Sequence, residues 1–345
     1  MNDISPLVSV AMASHNGEKF LREQLLSILV QDYGNIEVVV VDDASSDASP
    51  DLLRQFAASD ARVKVWFSKE RKGAVATFEE AIRHCRGGFV ALSDQDDIFD
   101  PEKISTMVRC LRATGTDMVL SDMAVIDSAG RELAPSFNAY QGLSVEAGKP
   151  FAKLAYVNFA TGCAMMVTRA LLDFALPFPR NCLVHDWWLA VCAARSEGNG
   201  IALVPVPLTR YRQHGSNVIG AHADSFVAAL DRAPDIDWRS GWYAGNSARI
   251  SGYLERGTWS AENKAVLVSL EAMFARMADD RNAMLFRRLR DLPTRTRHAL
   301  PHGMVHTLAV ILFSLSPKGF DRMVAAARWF LGRMTKPARK PAISA

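Results

Sequence analysis

The first hundred residues alternate between short, nearly uninterrupted apolar runs and amphipathic stretches, and this alternation restricts the fold more than any other feature. The runs 7-LVSVAMA-13, 36-IEVVVVDD-43, 63-VKVWFS-68 and 89-FVALS-93 read as strands. Between them, 18-EKFLREQLLSILVQ-31, 49-SPDLLRQFAAS-59 and 74-AVATFEEAIRHC-85 read as helices. In the first helix Phe20, Leu21, Gln24, Leu25, Ile28 and Leu29 fall on one stripe, and in the second Ser49 before Pro50 reads as an N-cap. Strands two and four lack polar alternation, which suits a parallel sheet covered on both faces. A βαβ series joined by right-handed crossovers predicts a doubly wound α/β sheet.

In such sheets ligands bind beyond the carboxyl ends of the strands. The polar clusters collect at those ends: 13-ASHNGE-18 after strand one, 42-DDASSD-47 after strand two and 94-DQDD-97 after strand four. The last cluster is the most demanding, because carboxylates this close raise one another's pKa unless a cation or donors lie between them. Asp100 before Pro101 reads as a helix start that Asp97 could help cap, but a cap uses one carboxylate. The surplus points to a divalent cation. Neither G-x-G-x-x-G after a strand nor G-x-x-x-x-G-K-[ST] occurs, which argues against dinucleotide enzymes and P-loop NTPases.

The second half keeps strand-like pieces at 118–127, 163–168 and 201–205, a helix at 185–196 and a polar loop, 210-RYRQHGSNVIG-220. Beyond about residue 224 the pattern turns helical, with amphipathic stretches near 242–256, 261–291 and 303–333. Charge divides along the chain as well. Residues 276–345 hold 14 Lys/Arg and 4 Asp/Glu, a net +10, whereas the remainder, with 26 and 33, is −7. A basic tail suits nucleic acid or anionic lipid. Its most apolar run, 304-MVHTLAVILFSL-315, falls short of the roughly 20 residues that span a bilayer. Five scattered cysteines without a C-x-x-C pair, and an N-terminus without a basic and apolar leader pattern, fit a reducing, cytoplasmic setting.

Taken in order, 8-VSVAMASHNGEKFLREQLLSILVQ-31, 40-VVDDASSD-47, 93-SDQDDIFDPEK-103, 160-ATGCAMM-166, 185-HDWW-188 and 211-YRQHGSNVIG-220 resemble family 2 glycosyltransferases of the GT-A fold, most of all the bacterial rhamnosyltransferase-type members. The resemblance covers about residues 6–220. It implies a Rossmann-like, mostly parallel central sheet with helices on both faces. A catalytic domain over 1–223 would divide into a nucleotide-binding half (about 1–100) and an acceptor half (about 101–223). A helical region over 224–345 would follow, serving membrane association or dimerisation.

The resemblance also implies a reaction: inverting transfer of a sugar from a nucleotide diphosphate donor (dTDP or UDP) to a saccharide or lipid-linked saccharide acceptor. Asp94-Gln95-Asp96 matches the DxD motif. Asp96 then binds Mg²⁺ or Mn²⁺, with His214 completing the metal shell or remaining a surface histidine, while Asp94 serves the ribose or a water-mediated metal contact. Ala13, Ser14, Asn16 and Glu18 line base and ribose. Asp42 and Asp43 match the base-binding region, with Asp42 accepting the imide N–H; the alternative is a loop of turn formers. Lys72 and Arg212 are the phosphate partners, Lys72 being equally readable as a surface charge. Asp186 aligns with the general base, next to Trp187 and Trp188 as an apolar acceptor surface; alternatively Asp186 caps its helix and the tryptophans are core. Thr161 and Gly162 allow close approach of the acceptor.

Two competing readings remain open on sequence. A sugar nucleotidyltransferase would need a glycine-rich loop after strand one, where the chain has only Gly17. A non-catalytic nucleotide-sugar or nucleic-acid-binding protein would interleave aromatic with basic residues in the tail. There Phe313, Phe320, Trp329 and Phe330 sit in apolar runs, so no nucleic-acid partner is expected.

Overall fold

A computed structural model describes residues 5–215, 236–256 and 258–278. Four parallel strands form its first half: β1 (Val8–Ser14), β2 (Ile36–Asp42), β3 (Val63–Phe67) and β4 (Phe89–Ser93). They alternate with helices α1 (Leu21–Leu29), α2 (Ser49–Ser59) and α3 (Ala74–His84). All seven residues of β2 are buried, as expected for a strand sandwiched between helix layers.

Two short elements follow, β5 (Ile98–Phe99) and α4 (Lys103–Thr114). The chain then forms β6 (Met118–Ile126), β7 (Glu132–Ala134), α5 (Phe137–Gln141), α6 (Phe151–Tyr156), a 3₁₀ turn at Gly162–Ala164, β8 (Met165–Thr168), α7 (Arg169–Ala175), α8 (His185–Ala193) and β9 (Ile201–Arg212). The strands share one sheet in the order β3-β2-β1-β4-β8-β6-β9-β5, with β7 paired to β6. The parallel expectation holds from β3 to β4. Beyond that the sheet is mixed, because β8 runs antiparallel to both β4 and β6. Strand order reverses between β1 and β4, so their carboxyl ends flank the crevice where such sheets take ligands.

Several local expectations are corrected. Ser49 is not the N-cap of α2 but its first residue; the cap position is Ala48, and the Ser49 hydroxyl accepts the Gly17 N–H instead. Asp100 ends short of α4, where its carboxylate accepts the Glu102 N–H in a turn, and Asp97 does not cap at all. The segment 210-RYR-212 is the end of β9 rather than loop.

Two helices complete the described chain, α9 (Ile236–Glu255) and α10 (Ala261–Ala278). Residues 248–271 group with 1–223 in one compact unit, while 224–247 and 272–345 make up a second. A sequence division at 224 therefore leaves out part of the first unit. Arg249 lies over the Trp187 ring at 3.8 Å, and Tyr253 and Trp259 pack on Trp188. The expected amphipathic stretch 303–333 lies outside the described residues.

At the amino end of the sheet, Glu37 is buried on β2 and accepts hydrogen bonds from Ser9 Oγ, the Arg86 N–H and guanidinium, and Lys64 Nζ. Burial opposes its ionisation, but these donors outweigh it and hold the carboxyl down at about 2. Its folded pKa lies below its unfolded value, so the stabilisation is present above about pH 4.5 and is lost as pH falls towards 2. Glu37→Gln is expected to cost on the order of 2–3 kcal/mol at pH 7 and almost nothing near pH 2, read by urea denaturation at both values.

Candidate functional site

The loops after β1 and β2 are laced together before any ligand is considered. His15 Nδ1 lies 2.8 Å from the Asp43 carbonyl, the Asn16 N–H donates to Ser45 Oγ, and the Ser46 N–H donates to Asn16 Oδ1. The Glu18 N–H donates to Asp47 Oδ2, and Glu18 Oε2 accepts the Ala48 N–H. Asn16 adopts φ +50°, in the left-handed region that asparagine tolerates. Ala13 is half-buried at the end of β1, and Ser14 beside it is buried.

The third loop is fastened to this pair by Gln95. Its Oε1 accepts from Ser14 Oγ at 3.1 Å and the His15 N–H at 2.9 Å, while its Nε2 donates to the His15 carbonyl. A Cβ on Gly17 would stand 2.3 Å from Gln95 Oε1, so a larger residue there would displace the Gln95 amide from these bonds. Gln95 thus acts as a clamp between loops.

Asp42 and Asp43 present almost no surface, at 2% and 3% exposure. Asp42 accepts from the Ser45 hydroxyl and N–H, and Asp43 accepts the Lys72 and Gly73 N–H groups at 2.7 and 2.8 Å. The expected open edge on Asp42 for a base is therefore closed in this conformation, and both carboxylates fasten loops. Lys72 directs its ammonium to Glu80 at 2.7 Å, in line with the surface-charge alternative.

Beyond β4 the carboxylates crowd as the sequence suggested, with one unforeseen member. Ligand atoms of Asp94, Asp97 and Cys163 all lie within 4.8 Å of one another. Asp97 is fully buried; its Oδ1 accepts the Arg212 N–H, and its Oδ2 has no hydrogen-bond partner among the described residues. Burial and neighbouring carboxylates push both Asp94 and Asp97 above the ordinary carboxylate range. Beneath them Lys103 is fully buried, donating to the Cys163 carbonyl and to Thr209 Oγ1, with its ammonium 3.3 Å from the centre of the Phe99 ring. Desolvation pulls Lys103 down to about 7, against the pull of Asp97 and Asp94.

Asp96 is half-buried, and its Oδ2 meets His214 Nε2 at 2.8 Å, so the two residues expected to share a cation do come together. Carboxylate oxygens with one imidazole nitrogen form a donor set that fits a divalent cation, and Asp97 Oδ2 nearby makes no hydrogen bond among the described residues. Arg212 is not the open phosphate fork that was expected. It is 2% exposed, and its guanidinium donates to Glu23 Oε2 and to the carbonyls of Asp96, Asp127 and Ser128.

Asp186 is the second residue of α8 and is almost fully buried. Its Oδ1 accepts from Asn158 Nδ2 at 3.1 Å and its Oδ2 from the Gly162 N–H at 3.0 Å. A Cβ on Gly162 would lie 3.0 Å from His185 Nε2, so the turn packs tightly against the start of α8. Half-buried Thr161 precedes it. Burial raises the Asp186 carboxyl to about 6 despite these donors. Asp186 also belongs to the field that lifts Asp94, so the two carboxylate sites lie close enough to interact. His185 stacks on Phe78 with both ring nitrogens buried and unpartnered, and burial pushes it down to about 3.

The two tryptophans are core. Trp188 has no exposure and donates to the Ala175 carbonyl; Trp187 donates to the Leu154 carbonyl under Arg249. The acceptor platform expected of them is thus corrected: both rings are buried and face the interior. Sequence reasoning also missed Asp97, Lys103, Asn158 and Glu23 as site members. Of these only Asp97, fourth in DQDD, carried a signal.

Residues 9–174 match the family model described as glycosyl transferase family 2. WfgD of Escherichia coli, named as a UDP-Glc:alpha-D-GlcNAc-diphosphoundecaprenol beta-1,3-glucosyltransferase, is 29% identical over 188 residues, 53% of this chain and 68% of that protein. The chain spans 63% and 51% of the length of two other curated bacterial relatives it matches. Among solved structures, S. aureus TarS in complex with UDP-GlcNAc superposes with a TM-score of 0.55 at 17% identity, covering 76% of this chain and 71% of that one. The mannosyltransferase PcManGT from Pyrobaculum calidifontis, in complex with GDP-Man and Mn²⁺, gives 0.52 at 18% identity over 97% of this chain and 89% of that one. At such identities the likeness establishes the fold, GT-A.

The Asp186 carboxyl is expected to titrate near pH 6 by carboxyl ¹³C NMR. Asn158→Ala removes a donor to the ionised form and should move the midpoint upward; a midpoint in the ordinary range near 4 would contradict the burial described.

Proposed function

Residues 9–174 place this chain in glycosyltransferase family 2, and from that premise we propose that it transfers a sugar, with rhamnose favoured, from a dTDP or UDP sugar to a saccharide acceptor with inversion. The observation that carries this reading is the convergence of the Asp94/Asp96 loop with a buried carboxylate on α8 that is held by two hydrogen bonds and ionises near pH 6. In a single displacement the acceptor oxygen forms its bond to the anomeric carbon as the bond from that carbon to the phosphate oxygen breaks. Asp186 takes the hydroxyl proton, and the nucleoside diphosphate departs. The Asn158 and Gly162 donors aim the carboxylate, and burial raises its basicity towards the working pH.

Asp96 and His214, with Asp94 close enough to Asp96 to feel its charge, are the residues that would hold Mg²⁺ or Mn²⁺, and the mixed donor set favours Mn²⁺. Such a cation, when bound, would neutralise the charge gathering on the leaving diphosphate. Ala13, Ser14, Asn16 and Glu18 border the nucleotide side of the crevice, and Thr161 and Gly162 the acceptor side. WfgD's named acceptor is a diphosphoundecaprenol-linked sugar. By analogy the acceptor here is a lipid-linked saccharide in surface polysaccharide synthesis.

Asp96→Asn is expected to abolish transfer, and Asp186→Asn to lower turnover by at least about 10²-fold with donor binding retained. The acid limb of the pH–rate profile should fall near pH 6, because a raised pKa protonates the base earlier as pH drops. Product analysis by NMR against a panel of nucleotide sugars decides the donor; turnover indifferent to EDTA, or retained in Asp186→Asn, would remove the respective role.

No helix among the described residues is long and apolar enough to cross a membrane. The basic, apolar stretch 303–333 is proposed to attach the protein peripherally to the inner face of the plasma membrane, where a lipid-linked acceptor presents its sugar; packing in a homodimer is the competing use. Each basic residue near an anionic leaflet adds about 1 kcal/mol. Full-length protein should co-sediment with anionic vesicles at low salt and lose that on truncation after residue 300 with donor hydrolysis kept. Indifference of the full-length protein to such vesicles would refute attachment.

A further inference from the structure

A cation ligand on a loop is only as well placed as the loop's support. Here the support comes from α1 and the end of β9. Arg212 donates its backbone N–H to Asp97 Oδ1 at 2.9 Å and its Nε to the Asp96 carbonyl at 2.8 Å. One terminal nitrogen reaches Glu23 Oε2 at 2.6 Å, while the other lies 3.4 Å from the carbonyls of Asp127 and Ser128. The guanidinium lies over the Phe20 ring at 4.7 Å, and the His214 ring packs on that same phenyl at 4.9 Å. One turn at the start of α1, carrying Phe20 and Glu23, therefore backs both Arg212 and the histidine that touches Asp96.

We propose that Glu23 is a positioning residue for the cation site: by fixing the Arg212 fork it holds the Asp96 backbone, and hence the Asp96 carboxylate, in the orientation that binds the metal of the nucleotide sugar. The inference rests on the reading of Asp96 as a cation ligand. Arginine's donors are rigidly disposed, so a carboxylate gripping one arm fixes where the others point. Exposed ion pairs are worth little, but this one is lopsided, with side chains 2% exposed for Arg212 and 56% for Glu23. Withdrawing the carboxylate removes a charged acceptor from a buried guanidinium and loosens the geometry in which it holds the Asp96 carbonyl. Glu23 itself is held by the buried face of α1, in which Leu21, Gln24, Leu25 and Ile28 pack inward. A contrary role is conceivable in chemical terms: Glu23 as a placeholder that surrenders Arg212 to the incoming diphosphate. The two roles predict opposite effects of the same substitution.

The test uses the full-length protein without nucleotide, titrated with Mn²⁺ and followed by electron paramagnetic resonance of the free ion. Glu23→Gln keeps the side-chain length on an exposed position, so folding should survive. Positioning predicts Mn²⁺ affinity weakened roughly tenfold, at the lower end of what outer-shell partners contribute. Turnover should return towards wild type at saturating Mn²⁺, since Asp186 is untouched, and UDP affinity in EDTA should not change. Arg212→Lys should weaken Mn²⁺ likewise, and the double variant should lose no more than the worse single one. Unchanged Mn²⁺ affinity in Glu23→Gln, or a gain in UDP affinity in EDTA, overturns the proposal. If Asp96→Asn binds Mn²⁺ like wild type, the cation reading itself falls; if Asp96→Asn loses Mn²⁺ while Glu23→Gln does not, only the positioning role fails.

Discussion

Everything at the carboxyl edge of the sheet answers to the crowding of negative charge where β4 ends. Three carboxylates within four positions cannot all be ionised, close-packed and unsupported. The protein supports them from below with Lys103, a buried ammonium whose donors engage the Cys163 carbonyl and Thr209, and from one side with Arg212. Buried charges of this kind are a poor source of net stability, because their desolvation offsets most of the attraction. Their effect is to specify position. Lys103 has a second consequence, since the carbonyl it holds belongs to the turn whose Gly162 N–H supports Asp186. One buried lysine on α4 thus holds the turn whose Gly162 N–H supports the candidate base.

The same economy governs the nucleotide side. Asp42, Asp43, Asn16 and Glu18 all have their polar groups engaged with neighbouring loop backbone or hydroxyls. A ligand arriving over these loops meets a surface already fixed by hydrogen bonds, so little ordering remains to be done on binding. What was expected as direct ligand contact is, in this conformation, mostly scaffolding one layer beneath it.

The sequence made the fold legible wherever the period of the pattern was unambiguous. β1 to β4 and α1 to α3 lie within a few residues of their expected bounds, because β2-type apolar runs and the α1 stripe leave no second solution. The site was legible at the level of loops: DQDD, HDWW and the histidine after β9 do gather, and Asp96 does meet His214. Individual roles were less legible for a physical reason. A sequence shows residue type but not burial, and burial is what turns Arg212 from a phosphate fork into a loop anchor and Trp188 from a sugar platform into core. Asn158 and Lys103 had no signal at all, since their importance lies in contacts 28 and 60 residues away.

The helices beyond residue 224 show how burial redraws a boundary that charge and periodicity had placed elsewhere. Asp186 sits on a helix every described residue of which is buried, so α8 needs packing on all sides. Part of that packing comes from residues 248–271: Arg249 over Trp187, Tyr253 and Trp259 against Trp188, and Arg256 donating to the carbonyls of Phe174 and Leu176 on and after α7. Arg249 is itself wholly buried, with one terminal nitrogen on the Ala155 carbonyl and its guanidinium over the Trp187 and Tyr253 rings. Among the described residues no cation makes a hydrogen bond to the Asp186 carboxylate, which is the condition under which burial can raise its pKa. A lysine or arginine pairing directly with Asp186 would have neutralised it more simply and would have lowered its pKa.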